Sequence, residues 1–394
     1  KNRNMIKAKI VAHSLSPQGD ELISVLCTFP RIVLAEVNTH RMLSKNTSSS
    51  RAIPFKKMVE AIQDDPFIPI AWQKAHSGMQ GSEYIDNPTS ISVRTGQWLT
   101  AMDNAIQIAT ELFENITFVG GSTNYKQIEL TDREGGSPVT KQLCNRLLEP
   151  FMWTTMLITG PRSGWDNFFE LRCPSYEYET ADGLEYYKSK KDWLEVFKST
   201  CPDKDDLTSY ENQSELEWLK INKGQAEIHM MALAEEIYDA MNESTPKQLQ
   251  AGEWHIPFNE QIDYLKLGEA SAQHYIDNPT EIVDVSKWAV KVSTAMAART
   301  SYTVVGEEKG IDYKKMIDLH DRLIAQNPPH SSPMEHCAKA MSSEEYYLFN
   351  RGEAYIDGWH KSPDILVFIP ENKGWCRNLK GFIQYRHIIE TQNE

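Results

Sequence analysis

The stretch EVNTHRMLSKNTSSSRAIP, Glu36 to Pro54, decides how this chain is read. Between Thr39 and Arg51 it holds His40, Arg41, Asn46, Arg51 and four serines, with almost no apolar periodicity. Two readings are open. In the plainer one, Ser48, Ser49 or Ser50 caps a helix that starts near Pro54, and His40 and Arg41 lie on a loop surface. In the sharper one, serine hydroxyls, backbone N–H groups before that helix and the Arg51 guanidinium cradle a phosphate. A cap needs one hydroxyl and three stand in a row, which favours the phosphate. His40 and Arg41 are then free to serve a second anionic ligand nearby.

Composition says which ligands are admissible. A chain of 394 residues can bury a large core as one big domain or two ordinary ones. With 40% hydrophobic and 24% charged residues it is ordinary globular material. The net charge of −14 speaks against a broad nucleic-acid or membrane surface, since both need basic patches. One local arginine cluster still suffices for a small anion. The six cysteines form no CxxC or CxxxC pair and are expected to be reduced thiols, with neither a zinc site nor a disulfide framework. There is no 18-residue apolar run, and KNRNMIKAKIVAHSL does not read as a signal peptide. A soluble, cytoplasmic protein is expected.

Working outward from the quoted stretch, IKAKIVAHSL and ELISVLCTFPRIVLAEV read as two strands joined by the turn SPQGD. PFKKMVEAIQ follows as a short helix with Pro54 near its first turn. Ile91 to Asn115 has helical apolar spacing, and a Gly/Ser/Thr-rich segment then interrupts. KQLCNRLLEPFMWTTMLITG is expected to be a buried helix kinked or broken at Pro150. Residues 174–223 are rich in Asp, Glu, Lys and Tyr and read as a solvated insertion laid over the core. Amphipathic helices are expected in GQAEIHMMALAEEIYDAM, VDVSKWAVKVSTAMAARTSY and DYKKMIDLHDRLIAQ. No fixed-period repeat or clean linker appears, so 1–394 is read as a single elaborated α+β domain.

Two further constellations carry chemistry. Arg146 and Arg172, with Asn167 between them, lie in otherwise apolar runs, where an unpaired guanidinium is costly. They either pair with Glu149 or Glu170, or point into a shared cleft and hold a planar anion bidentately. The third is AARTSY, Ala297 to Tyr302, followed by HSSPMEH, His330 to His336. Its histidines lack the HExxH spacing of a metal helix and Pro333 disfavours one, so no metal is expected. A cofactor-lining loop suits Ser331 and Ser332 better.

Taken together, the three constellations resemble the flavin-dependent thymidylate synthases. That family carries R-H-R-x-x-S-x-N-x-x-S-x-R; this chain reads T-H-R-M-L-S-K-N-T-S-S-S-R, matching at His40, Arg41, Ser44, Asn46, Ser49 and Arg51. Arg146, Asn167, Arg172 and QAEI (Gln225 to Ile228) correspond to further family positions, as do AARTSY and HSSPMEH. The order departs from the family's. Segments that come first there come last here, as in a circular permutation, and the layout resembles longer phage-type relatives along most of the chain. Thr39 also replaces the first arginine of R-H-R, and Glu36 the glutamine usually three residues before it. IQYRH near the end offers Gln384 and Arg386 as replacements in space.

The resemblance implies an α+β fold with a mixed or antiparallel sheet packed by long helices. It implies methylation of dUMP at C5 with methylene-tetrahydrofolate as carbon donor, NADPH as reductant and FAD as hydride carrier, in a homo-oligomer, a tetramer being favoured. Carried over by position, Ser49, Ser50, Arg51 and Arg146 hold the nucleotide phosphate, and Arg172 contacts the pyrimidine and steadies charge developing on it. His40, Arg41, Ser44, Asn46 and Asn167 line the flavin, with His330, Ser332, Gln384 and Arg386 completing that site. Glu36 either pairs with Arg41 or Arg386, or faces the base. A carboxylate accepts but cannot donate, so there it suits the amine of cytosine better than the O4 of uracil. Use of dCMP, transfer of a hydroxymethyl group, and a non-catalytic flavin- or nucleotide-binding subunit are the alternatives.

Overall fold

The computed structural model describes residues 6–77, 81, 83–119, 126–129, 137–200, 204–277, 284–302, 310–349 and 373–392. Strands Lys7–Leu15 and Glu21–Pro30 pair antiparallel across the SPQGD turn, where Gly19 takes φ +88°, a conformation open to glycine at little cost. The second strand stops at Pro30, short of the expected end. Residues Arg31–Val33 form a 3₁₀ turn and Leu34–Asn38 a helix. Val33 and Val37, four residues apart, are both buried, as one helical face requires.

A larger correction concerns KQLCNRLLEPFMWTTMLITG. Only Lys141–Arg146 is α-helical; a 3₁₀ turn covers Glu149–Phe151, and Trp153–Pro161 is a strand. A strand buried on both faces shows a continuous apolar run, which periodicity cannot separate from a buried helix. That strand is internal to the main sheet, whose order is Ser44–Thr47, Trp153–Pro161, Glu21–Pro30, Lys7–Leu15, Lys247–Gln248. All neighbours are antiparallel except the last pair.

Alternation along Glu21–Pro30 assigns the two faces. Ile23, Val25, Cys27 and Phe29 join Met156 and Ile158 against helices Arg162–Arg172 and Ile228–Asn242, through Trp165, Phe168, Met230, Leu233 and Ile237. Truncating one of these buried aromatics costs about 3–5 kcal/mol. Leu22 and Leu26 point the other way, where Ala338, Leu379, Phe382, Phe258 and Ala297 cover them. That second layer contains helices Val285–Arg299 and Tyr313–Ile324 and the small sheet Trp254–His255, Ala338–Ala340, Phe382–Gln384. The described residues thus form an α+β fold around a mixed sheet covered on both sides.

The long helix spans Pro88–Glu114, capped by Asn87 and closed by Asn115 in the left-handed conformation. The segment after it contributes the paired strands Ile116–Val119 and Lys126–Glu129; its remaining glycine-rich parts fall outside the described residues. Within 174–223 the chain builds a hairpin, Tyr176–Thr180 with Gly183–Tyr187, and helices Lys190–Thr200, Lys204–Asn212 and Glu215–Ile221. Tyr176, Trp193 and Trp218 form an aromatic cluster of its own, with Tyr178, Phe197 and Tyr210 around it. Among the described residues, no helix is long and apolar enough to cross a membrane.

Candidate functional site

Helix Leu34–Asn38, a tight turn and the edge strand Ser44–Thr47 make up the first part of the quoted stretch. Two glycines let the turn lie close to its neighbours. A Cβ at Gly160 would collide with Leu43, and one at Gly164 would stand 3.2 Å from the same side chain. The last residue of helix Arg162–Arg172 therefore reaches the turn. Arg172 Nε donates to Nε2 of His40 at 3.1 Å, and its Nη2 donates to Thr39 Oγ1 at 3.2 Å. His40 is buried against the edge of Phe168. Burial first, then the charges of Arg172 and Lys45, hold its pKa down at about 4. The ring is neutral at pH 7, with its lone pair on Nε2 and its proton on Nδ1.

Lys45 is a residue that sequence reasoning passed over. Its ammonium donates to the His40 carbonyl. Burial lowers its pKa to about 8, opposed by the carboxylate of Glu335. Glu335 in turn accepts from Arg386 Nη1 at 2.6 Å, while Arg386 Nε donates to Glu390 at 2.7 Å. So the end of HSSPMEH and the C-terminal helix Tyr385–Gln392 stand beside the quoted stretch.

A side-chain staple fixes that junction. Gln384 Nε2 donates to the Glu335 carbonyl at 3.3 Å and to Asn378 Oδ1 at 3.0 Å. Asn378 Nδ2 donates at 3.0 Å both to Ser44 Oγ and to the Met42 carbonyl. AARTSY is tied on by Asn46 Nδ2, which donates to the Ala297 carbonyl at 3.1 Å, and by the Ser49 N–H on the Ser301 carbonyl at 3.0 Å. Residues 39–51, 172, 297–301, 335 and 378–386 therefore meet at one edge of the main sheet. The amides of Gln384 and Asn378 recur nowhere in the opening motif, so only the tail's IQYRH hinted at half of the staple.

The serines behave differently from a cap. Helix Phe55–Asp64 has Pro54 at its N-cap and no side-chain acceptor there, so the plainer reading does not hold. Ser50 Oγ donates to Glu149 Oε1 at 2.5 Å, where Arg31 Nη2 also donates at 3.1 Å. Ser48 Oγ lies 2.7 Å from Thr154 Oγ1. The Ser49 hydroxyl makes no such bond among the described residues. Asn145 Nδ2 donates to the carbonyls of Ser50 and Ile53 at 2.6 and 3.0 Å, which docks helix Lys141–Arg146, and so Arg146, beside the serine turn.

Of the two readings open for Arg146 and Arg172, the pairing with Glu149 or Glu170 is absent. Glu149 takes Arg31, and Glu170 takes Lys188 at 2.8 Å. Arg41, Arg51 and Arg146 are exposed and have no carboxylate partner among the described residues. Glu36 pairs with neither Arg41 nor Arg386; its Oε2 is buried and has no hydrogen-bond partner there. Asn167 is exposed on helix Arg162–Arg172, and His330 is exposed with its N–H on the Leu323 carbonyl. No contact among the described residues brings those two to the cluster. Ser332 opens the 3₁₀ turn Ser332–Glu335 and is half-buried.

No family model and no curated protein matches the chain. Among solved structures it is similar to a UMP/dUMP methylase PolB from Streptomyces cacaoi. The form bound with 5-Br dUMP shares 12% identity, with 60% of this chain and 96% of that chain covered at a TM-score of 0.31. The form bound with 5-Br UMP shares 14%, with 44% and 78% covered at 0.29. At these scores neither likeness bears on what this chain does.

Proposed function

We propose that the chain is a flavin-dependent pyrimidine-nucleotide C5-methyltransferase that converts dUMP to dTMP. The observation that carries the proposal is the meeting of segments distant in sequence along the edge strand Ser44–Thr47, next to the His40–Arg172 pair. The donor set fits phosphate groups. Arg41, Arg51 and Arg146 have no carboxylate partner among the described residues, so their charge is available to anionic ligands even in a chain of net charge −14. Arg51, Arg146, the Ser49 hydroxyl and the backbone of Ser50 would hold the nucleotide phosphate. Arg41, Asn46 and His40, with Ser44, Ser332 and the Gln384–Arg386 segment behind them, would line the flavin. Asn167 and His330 belong to that lining only by their place in the motifs.

Arg172 spends two N–H groups on His40 and Thr39, and a guanidinium has five. The others can donate to a pyrimidine carbonyl as negative charge develops there. Neutral His40 acts as the acceptor that fixes the plane of Arg172. Lys45 adds a cation that stays dry enough to lose its proton near pH 8. FAD, when bound, supplies hydride transfer, with NADPH as its reductant and methylene-tetrahydrofolate as the one-carbon donor.

A second reading rests on Glu36. A buried carboxylate oxygen with no donor suits a base that carries an amine, so dCMP is the alternative substrate. Incubating the flavin-loaded protein with NADPH, methylene-tetrahydrofolate and either nucleotide, then weighing the product, separates the two. Methylated dUMP supports the first reading and methylated dCMP the second. A hydroxymethyl product points to transfer without the final reduction, and no product in the presence of bound flavin points to a binding subunit.

A further inference from the structure

Between the main sheet and the second layer runs an unbroken row of five buried polar side chains. His336 Nδ1 lies 2.8 Å from Thr159 Oγ1, and Thr159 Oγ1 lies 2.6 Å from Ser24 Oγ. Ser24 Oγ lies 2.8 Å from His255 Nε2, and His255 Nδ1 lies 2.9 Å from Ser14 Oγ. None of the five is more than 5% exposed. Sheet register builds the row. Ser24 stands directly opposite Thr159, and Thr159 directly opposite Ser44, so all three project from one face.

Such a row is costly to bury, and apolar side chains of similar volume would pack as well. Its two ends suggest why it is there. The outer end, Ser14, lines a cavity of about 500 Å³ together with His13, Lys247, Glu253, Trp254 and Glu260. The inner end, His336 Nε2, is buried without a hydrogen-bond partner among the described residues. His336 directly follows Glu335, and the Thr159 it touches is the cross-strand neighbour of Ser44. One end thus opens on the cavity and the other lies beside the site.

We infer that this row is a proton path linking the cavity to the candidate site. Burial keeps both imidazoles neutral, with pKa values of about 3, so each ring offers one N–H and one lone pair. Each hydroxyl also offers one proton and accepts one. When Ser14 takes a proton from the cavity, it passes its own to His255 Nδ1, and His255 Nε2–H passes to Ser24. Ser24 protonates Thr159, Thr159 protonates His336 Nδ1, and His336 Nε2 gives its proton to a water molecule or ligand group in the candidate site. Every atom regains its bond count, one proton enters and one leaves, and passage the other way restores the first orientation. The use made of that proton rests on the proposed function.

The path itself is tested without turnover, by following solvent exchange of the His336 and His255 ring N–H protons by NMR in the full chain labelled with ¹⁵N-histidine. Thr159→Val removes the central hydroxyl at constant volume, and Thr159→Ser restores it. The Trp165 indole N–H, buried and donating to the Ile23 carbonyl at 3.4 Å, reports whether the fold still holds. The path predicts that His336 exchange slows at least about tenfold in Thr159→Val, recovers in Thr159→Ser, and slows again in Ser14→Ala, with Trp165 unchanged. Equal His336 exchange in the wild type, Thr159→Val and Ser14→Ala overturns it. If Thr159→Val fails to fold, Ser14→Ala against the wild type decides by the same criterion. Expected exchange in a protein that methylates neither nucleotide would keep the path and sink the functional reading. Methylation with unchanged exchange would do the reverse.

Discussion

Arg172 and His40 hold each other: the guanidinium donates to an imidazole that its own charge helps keep neutral. An arginine paired with a carboxylate is electrostatically spent, whereas one resting on a neutral ring keeps its full charge for a ligand. Arg172→Ala is therefore expected to raise the His40 pKa from about 4 toward its ordinary 6.5, because the second-largest cause of its depression is removed. Titration of the His40 ring by NMR in both proteins checks this. An unmoved His40 would mean that burial alone sets its state.

Acid stability carries the same signature at three places. His40, His255 and His336 are held at about 4, 3 and 3, below the ordinary histidine value. Below pH 6.5 the unfolded chain binds protons at these rings that the fold refuses. Their contribution is thus complete above pH 6.5 and is lost as pH falls toward 3–4, at up to about 1.4 kcal/mol per pH unit for each ring. Glu235, held up at about 7 by burial, works in the opposite sense and offsets one ring between its folded and ordinary values. The urea midpoint is expected to fall clearly between pH 6.5 and 5. A flat midpoint over that range would count against neutral, buried histidines.

Arg51 is exposed and makes no internal pair among the described residues, so its charge is available to a ligand and matters little to the fold. Arg51→Ala is expected to weaken dUMP binding about 10- to 100-fold, or roughly 1.4–2.8 kcal/mol, and to leave Tm unchanged. Titration calorimetry and a thermal melt on one preparation test both halves. A lower Tm with unaltered binding would assign Arg51 to the structure instead.

Glu149 is the reverse case. It accepts from Ser50 and from Arg31, whose guanidinium also reaches the Ser48 carbonyl at 2.8 Å. Glu149→Ala strands Arg31 and frees the serine turn, at an expected cost of about 1.5–3 kcal/mol. Urea unfolding measures the loss, and a change within about 0.5 kcal/mol would show that water replaces the carboxylate easily.

The helices Pro88–Glu114, Ile228–Asn242, Val285–Arg299 and Tyr313–Ile324 and the SPQGD hairpin were legible because each had its own period or turn residues. Trp153–Pro161 was not, since burial on both faces erases the alternation that marks a strand. Within the site, His40, Arg172, Ser44, Asn46, Gln384 and Arg386 could be named in advance and do stand in one connected cluster. Lys45 and Asn378 could not. Their importance comes from contacts to the His40 carbonyl and the Met42 carbonyl, and a backbone acceptor leaves no mark on the sequence of its donor. The pairing of Glu36 with Arg41 or Arg386 is not found, for a related reason. Two arginines were in reach on paper, but one lies exposed and the other is held between Glu335 and Glu390.

On the proposed function, this chain moves one carbon onto C5 of dUMP. A single turnover of the FAD-loaded, NADPH-reduced protein with dUMP and ring-deuterated methylene-tetrahydrofolate, followed by mass analysis of the nucleotide, tests it directly. A nucleotide with a methyl group in place of the C5 hydrogen, heavier by one CH2 unit, is expected, and that product is lost in Arg172→Ala. An unchanged dUMP beside fully reduced, bound flavin would contradict it.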